Sequence, residues 1–160
     1  MPTGALRTER HYESFILELE WRHLKPGGNA GVFIWAGPLS APGQPFLRAI
    51  EVQVLDHAYG KSDWFTTHGD VFPIHGSTMQ PFGRHAGQRS FPSEERGKAS
   101  PGWNHYRITC QDGTLRLALD ARFSRGEPQA RFIWLPDPAA TPGAPPGVLG
   151  GLRELHAHDD

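Results

Sequence analysis

The sequence has a single cysteine, Cys110, among its 160 residues. One cysteine closes no internal disulfide and builds no cysteine-based zinc site. It sits inside a strand-like run, which predicts a buried, inert thiol rather than a nucleophile. Long apolar stretches are missing too. None approaches the length of a transmembrane helix, so no membrane partner is expected. The opening residues, Met1-Pro2-Thr3-Gly4, carry no apolar signal-peptide core, which places the chain as written in the cytoplasm. An excess of one charge is absent as well. The formal net charge is -1, and Lys and Arg are scattered without a basic stripe. That balance argues against a nucleic-acid partner. Finally, no long segment shows helical periodicity.

What the sequence does have is glycine and proline, 19 and 15 of them, enough to predict many turns. Between the turns the apolar residues repeat with period two. Phe15, Leu17, Leu19 and Trp21 alternate with Ile16, Glu18, Glu20 and Arg22, the pattern of a strand with one buried face. Lys25-Pro26-Gly27-Gly28-Asn29 is a turn signal, and Ala30 to Trp35 reads as a second strand. The two together predict a hairpin. Ile50, Val52 and Val54 alternate with Glu51, Gln53 and Leu55 in a third strand. Asn104 to Gln111 is a fourth, with Tyr106, Ile108 and Cys110 on one face. Asp112-Gly113 is a hairpin dipeptide, and Leu115, Leu117 and Leu119 form the return strand. These runs predict an all-β fold, two antiparallel sheets packed face to face. From His57 to Pro101 regular patterning is lost, and such long irregular stretches often carry function.

Four groups of residues could carry chemistry. A strand that buries Val52 and Val54 must present Glu51 and Gln53 on its other face. A carboxylate beside an amide suits a sugar, and the carboxylate could be a general base or a metal ligand; a plain solvated face has the same spacing. His57, His68, His75 and His85 are interleaved with Asp56, Asp63 and Asp70 in the irregular stretch. Such a set could hold a divalent metal ion, but no tight His-x-x-x-His spacing appears, and surface loop histidines would look the same. Pro26-Gly27-Gly28-Asn29-Ala30-Gly31 is not a phosphate loop, since no Lys-Ser or Lys-Thr follows it. Among the aromatics, Trp21, Trp35 and Trp103 read as core. Trp64 stands in a polar loop and is the candidate for stacking on a sugar.

Several of these pieces occur in an order that resembles the 3-keto-disaccharide hydrolase family. They are Phe15 to Arg22, Gly27-Gly28-Asn29-Ala30-Gly31-Val32-Phe33, Glu51-Val52-Gln53-Val54-Leu55-Asp56, and Trp103-Asn104-His105-Tyr106-Arg107. His68-Gly69-Asp70-Val71-Phe72-Pro73-Ile74-His75-Gly76 looks like one subgroup of it. The resemblance covers Gly4 to Leu119. It implies a concanavalin A-like jelly roll that binds a saccharide and cleaves a glycoside whose sugar carries a ketone at carbon 3. It points to Glu51 as the catalytic base, with His75 or His57 as the next candidates. Gln53, Asn29, Asp56, Trp64 and Asp70 are the candidates for substrate binding. A divalent metal could polarise the ketone. A non-catalytic carbohydrate-binding module, or an inactive remnant, could use the same scaffold.

Both ends depart from the family pattern. The start stands one or two strands short of it, which keeps a periplasmic or secreted location open. Asp120-Ala121-Arg122 replaces the expected Asn-Gly-Lys turn. The sandwich is therefore expected to be incomplete, with a domain over 1–135 and a poorly ordered tail over 136–160. Pro136, Pro138, Pro142, Gly143, Pro145, Pro146 and Gly147 crowd the start of that tail. Each proline removes a backbone donor and each glycine adds chain entropy. Deleting residues 136–160 should shift unfolding free energy by less than about 1 kcal/mol in urea denaturation, the scale of ordinary surface changes.

Overall fold

The computed structural model describes residues 6–37 and 47–119 and the backbone of a further strand at 130–132. The tail expected over 136–160 lies outside the described residues. The strands are β1 (Phe15–Trp21), β2 (Asn29–Ile34), β3 (Ala49–Leu55), β4 (Val71–Ile74), β5 (Met79–Pro81), β6 (His85–Ala86), β7 (Arg89–Ser90), β8 (Asn104–Gln111), β9 (Thr114–Leu119) and β10 (Ala130–Phe132). One 3-10 turn, His57–Tyr59, follows β3. Among the described residues there is no α-helix, and so none long and apolar enough to cross a membrane. Two antiparallel five-stranded sheets form, ordered β1-β8-β9-β10-β5 and β2-β3-β4-β7-β6. The all-β sandwich is the fold that the period-two runs predict.

The core lies between the sheets. Leu17 and Trp21 of β1 and Tyr106, Ile108 and Cys110 of β8 meet Val32 and Ile34 of β2 and Ile50, Val52 and Val54 of β3. Full burial of each such aliphatic side chain contributes roughly 1.5–3 kcal/mol. Tyr106 also bridges the layers with a polar contact: its hydroxyl donates to the Gln53 carbonyl at 2.7 Å, deep in the core. Cys110 is buried as anticipated, and desolvation pushes its thiol well above the usual range.

The hairpin expected from β1 and β2 does not form. β1 pairs with β8, from Phe15 opposite Cys110 to Trp21 opposite Asn104, and β2 pairs with β3. The Gly-rich segment between them crosses from one sheet to the other. It is fastened on the way: His23 Nε2 lies 2.9 Å from the Val54 carbonyl, and the Gly27 amide donates to Asp56. Two amphipathic strands joined by a short loop can bury their apolar faces against each other across a sandwich as well as side by side, and here the first arrangement wins. The β8–β9 hairpin forms as expected, with Asp112 and Gly113 both at positive φ, 49° and 72°. The two-residue primed turn requires that conformation.

The irregular stretch resolves into β4 to β7, each four residues or fewer. Trp103, read as core from sequence, is 52% exposed, and the Arg22 guanidinium covers its ring at 4.6 Å. It precedes the first inward residue of β8, so it escapes the core. Ile108→Ala should cost about 2–5 kcal/mol in urea unfolding, since it opens a cavity between the sheets. Arg116→Ala, on the exposed side of β9, should stay within about 0.5 kcal/mol.

Candidate active site on the outer face of the second sheet

Alternation along β3 sends Val52 and Val54 into the core and Glu51 and Gln53 to the opposite face. Glu51 is flanked across the ladder by Phe33 of β2 and Phe72 of β4. Its carboxylate lies over Gly31, where a Cβ would come within 2.2 Å of Glu51 Oε1. Glycine at 31 is thus a clearance for the carboxylate. Phe33, Leu47 and Ile74 pack with Ala36 and Ala49 at one end of this face. Desolvation raises the Glu51 carboxyl to about 7, against the opposing pull of the Arg89 charge.

Gln53 does not face open solvent. It is buried, and its amide is fully engaged: Nε2 donates to Asn29 Oδ1 at 3.0 Å and to the Ala30 carbonyl at 3.1 Å, while Oε1 accepts from Arg89 Nη2 at 3.2 Å. Asp70 is buried as well. It accepts from the Thr66 amide at 2.8 Å, from the Thr66 hydroxyl, and from Arg89 Nε at 2.7 Å. Arg89 therefore joins Gln53 to Asp70, and its guanidinium lies 3.7 Å from the centre of the Phe72 ring. Asn29, Gln53, Arg89, Asp70 and Thr66 form one connected polar chain running over β2, β3, β7 and the loop before β4.

Arg89 was not singled out from the sequence. It belongs to a two-residue strand with no periodicity, and its partners are 19 and 36 positions away. The one available signal was Asp70 itself, a carboxylate in front of the apolar β4, which needs a cation if it is buried.

Other candidate residues lie elsewhere. Asp56 is buried at the end of β3: Oδ1 accepts from the Gly27 and Ala58 amides, each at 3.0 Å, and Oδ2 from the Ser100 amide at 2.7 Å. It ties three loops together instead of presenting a carboxylate to a ligand. Desolvation works to raise its pKa, but the donors Gly27, Ser100 and Ala58 and the nearby His23 together hold it at about 2. His57 is exposed on the 3-10 turn, six residues beyond Glu51, or roughly 20 Å of extended chain. Its ring stacks on His68 at 4.6 Å. His75 sits at φ 48° in the turn after β4, three residues past the partner of Glu51, or roughly 10 Å. The two histidines thus lie beyond opposite ends of β3. Trp64 is 73% exposed. Its neighbour Phe65 reaches the Arg89 side, 5.9 Å from the guanidinium and 6.5 Å from the Tyr59 ring.

The residues considered as metal ligands do not converge. His68 Nδ1 lies 3.0 Å from the Leu55 carbonyl, and its other nitrogen is packed against Gly97. Among the described residues no group of three or more His, Cys, Asp or Glu side chains could hold a metal ion. Among the described residues the donor set does not fit a metal centre.

A two-sheet β sandwich with a desolvated carboxylate and a braced guanidinium on one outer face is an architecture suited to carbohydrate chemistry. Residues 1–123 match the family of the 3-keto-alpha-glucoside-1,2-lyase-like domain, and the chain belongs to that family. Its function is accordingly carbohydrate-related. No curated protein and no solved structure matches the chain.

The Asp56 clamp has a definite pH signature. Its folded pKa lies below the ordinary 3.8, so its contribution is present above that value and is lost as pH falls through about 2. In urea unfolding, Asp56→Asn should be destabilised near neutral pH. The gap to the parent should narrow below 3.8 and close through about 2.

Proposed function

We propose that this domain cleaves a glycoside carrying a ketone at carbon 3, by elimination across carbons 1 and 2 with Glu51 as the base. The observation that supports this reading is the position of Glu51: a carboxylate on the outer face of β3, with Phe33 and Phe72 opposite it on the neighbouring strands, raised by desolvation to about 7. A carboxyl with that affinity can take a proton and return it near neutral pH.

The ketone acidifies the hydrogen on carbon 2. Glu51 takes that proton, the C–H electron pair becomes the bond between carbons 2 and 3, and the carbonyl π pair moves to the carbon-3 oxygen. The enolate then collapses. The carbonyl re-forms, a double bond forms between carbons 1 and 2, and the bond from carbon 1 to the leaving oxygen breaks with its electron pair. Protonated Glu51 returns the proton to that oxygen. Water adding across the new double bond would complete a net hydrolysis. This route needs one base and an enolate stabiliser, unlike the oxocarbenium route with two flanking carboxylates.

Glu51→Gln should lower turnover of a 3-keto glucoside by about 10²–10⁴-fold, the usual worth of a general base. The variant should keep the β-rich circular dichroism of the parent. Parental kcat/KM should rise with pH and level off above about 7, because only the ionised carboxylate accepts the proton. Full activity in the variant would remove Glu51 as the base. Saturable sugar binding without turnover in the parent would favour a carbohydrate-binding module, a role that exposed Trp64 would also serve.

A further inference from the structure

Arg89 is held in a way that its structural partners do not exhaust. A guanidinium has five N–H donors in a rigid planar fork. Nε is spent on Asp70 and one Nη2 hydrogen on Gln53. Three donors are left without an acceptor among the described residues, on a side chain that is only 20% exposed. The fork is braced from behind. Asp70 is fixed by Thr66, and the Gln53 amide is oriented by Asn29 and the Ala30 carbonyl, so its oxygen must point toward Arg89. The ring of Phe72 supports the guanidinium face at 3.7 Å. Register places this group and Glu51 on either side of Phe72: Phe72 pairs with Glu51 of β3, and Val71 pairs with Ser90 of β7, next to Arg89. Neutralising Asp70 alone would need only a cation. A fixed fork with open donors, one strand across from a desolvated carboxylate on the same face, suits an oxygen that becomes negative.

We propose that Arg89 is a catalytic residue of this site, donating to the carbon-3 oxygen and stabilising the charge that oxygen gains when Glu51 removes the carbon-2 proton. The proposal rests on the elimination described above and supplies its missing enolate stabiliser. Gln53 and Asp70 are then positioning residues that act through Arg89. A preorganised donor of this kind in a partly desolvated site adds to the transition state without reorganising.

The test uses the full chain and a methyl 3-keto glucoside. Exchange of the carbon-2 hydrogen in deuterated water reports enolate formation, and methanol release reports elimination. Arg89→Gln should slow both by about 10²–10³-fold, the cost of removing an oxyanion donor. It should also move the acid limb of kcat/KM to higher pH, because the Arg89 charge no longer lowers the Glu51 pKa. A merely structural arginine would move that limb too, so the donor role is read from exchange on the high-pH plateau, where Glu51 is ionised in parent and variant alike. Arg89→Gln strands the buried Asp70 charge and can unfold the protein. The double variant Arg89→Gln with Asp70→Asn removes both charges, and a cooperative thermal transition verifies its fold. Loss of exchange with the shifted limb in the folded variant is the expected result. Exchange on that plateau within about threefold of the parent would overturn the role of Arg89 while leaving the elimination standing. A parent chain that neither exchanges nor releases methanol would overturn the elimination itself, and the role of Arg89 with it.

Discussion

Asp70 has no exposure to solvent, and a carboxylate in that position must be compensated. Removing the partner of a buried charge typically costs about 3–5 kcal/mol. Much of the second sheet is arranged around this requirement. Thr66 closes the preceding loop onto the carboxylate, and Arg89 brings in β7. Through Arg89 the constraint passes to Gln53 on β3 and then to Asn29 on β2. The backbone repeats the connection: the Gln53 amide donates to the Asp70 carbonyl at 2.8 Å, and the Gly69 amide to the Gln53 carbonyl at 3.0 Å. Elements as short as β6 and β7 bury little apolar area. Fixed polar partners compensate for what so small a strand cannot obtain from packing.

The same sheet shows how unequal neighbouring acidic groups become when their surroundings differ. Glu51 and Asp56 are five residues apart on and just beyond one strand, yet one carboxyl is raised to about 7 and the other lowered to about 2. Desolvation acts upward on both. Asp56 receives three backbone N–H donors and the field of His23, which outweigh burial. Glu51 has the more distant charge of Arg89, which does not. The strand positions both groups, but the donors around each decide which remains protonatable near neutral pH.

The long strands were legible in the sequence because period two is imposed by a half-buried face, and six to eight residues suffice to show it. Phe15–Trp21, Ala49–Leu55, Asn104–Gln111 and Thr114–Leu119 all meet that condition. The outward placement of Glu51 follows from the same alternation. Pairing was less legible. Whether β2 returns beside β1 or crosses to the other sheet depends on partners tens of residues away, and β8 competes successfully for β1. The short strands β4 to β7 carry too few residues to express a period. Side-chain roles in that region were hidden for a related reason. Asp56 reads the same in sequence whether it meets a sugar or three amides, and Arg89 has no local pattern linking it to Asp70 or Gln53. Trp103 illustrates a parity effect: it shares the outward parity of His105 and Arg107, so the alternation of β8 turns it away from the core.

The clearance at Gly31 carries an evolutionary corollary. The atom that an added methyl would strike is the tip of a flexible glutamate, not backbone, so the fold could absorb the change by swinging the carboxylate aside. Positions 31 and 51 are therefore epistatic, and the burden of substitution at 31 falls on the direction of one acidic group more than on the sandwich beneath it. Lineages that drift at this glycine would keep a well-folded scaffold while abandoning the placement of its carboxylate. A single methyl group at this position is enough to separate selection for the scaffold from selection for the chemistry on its surface.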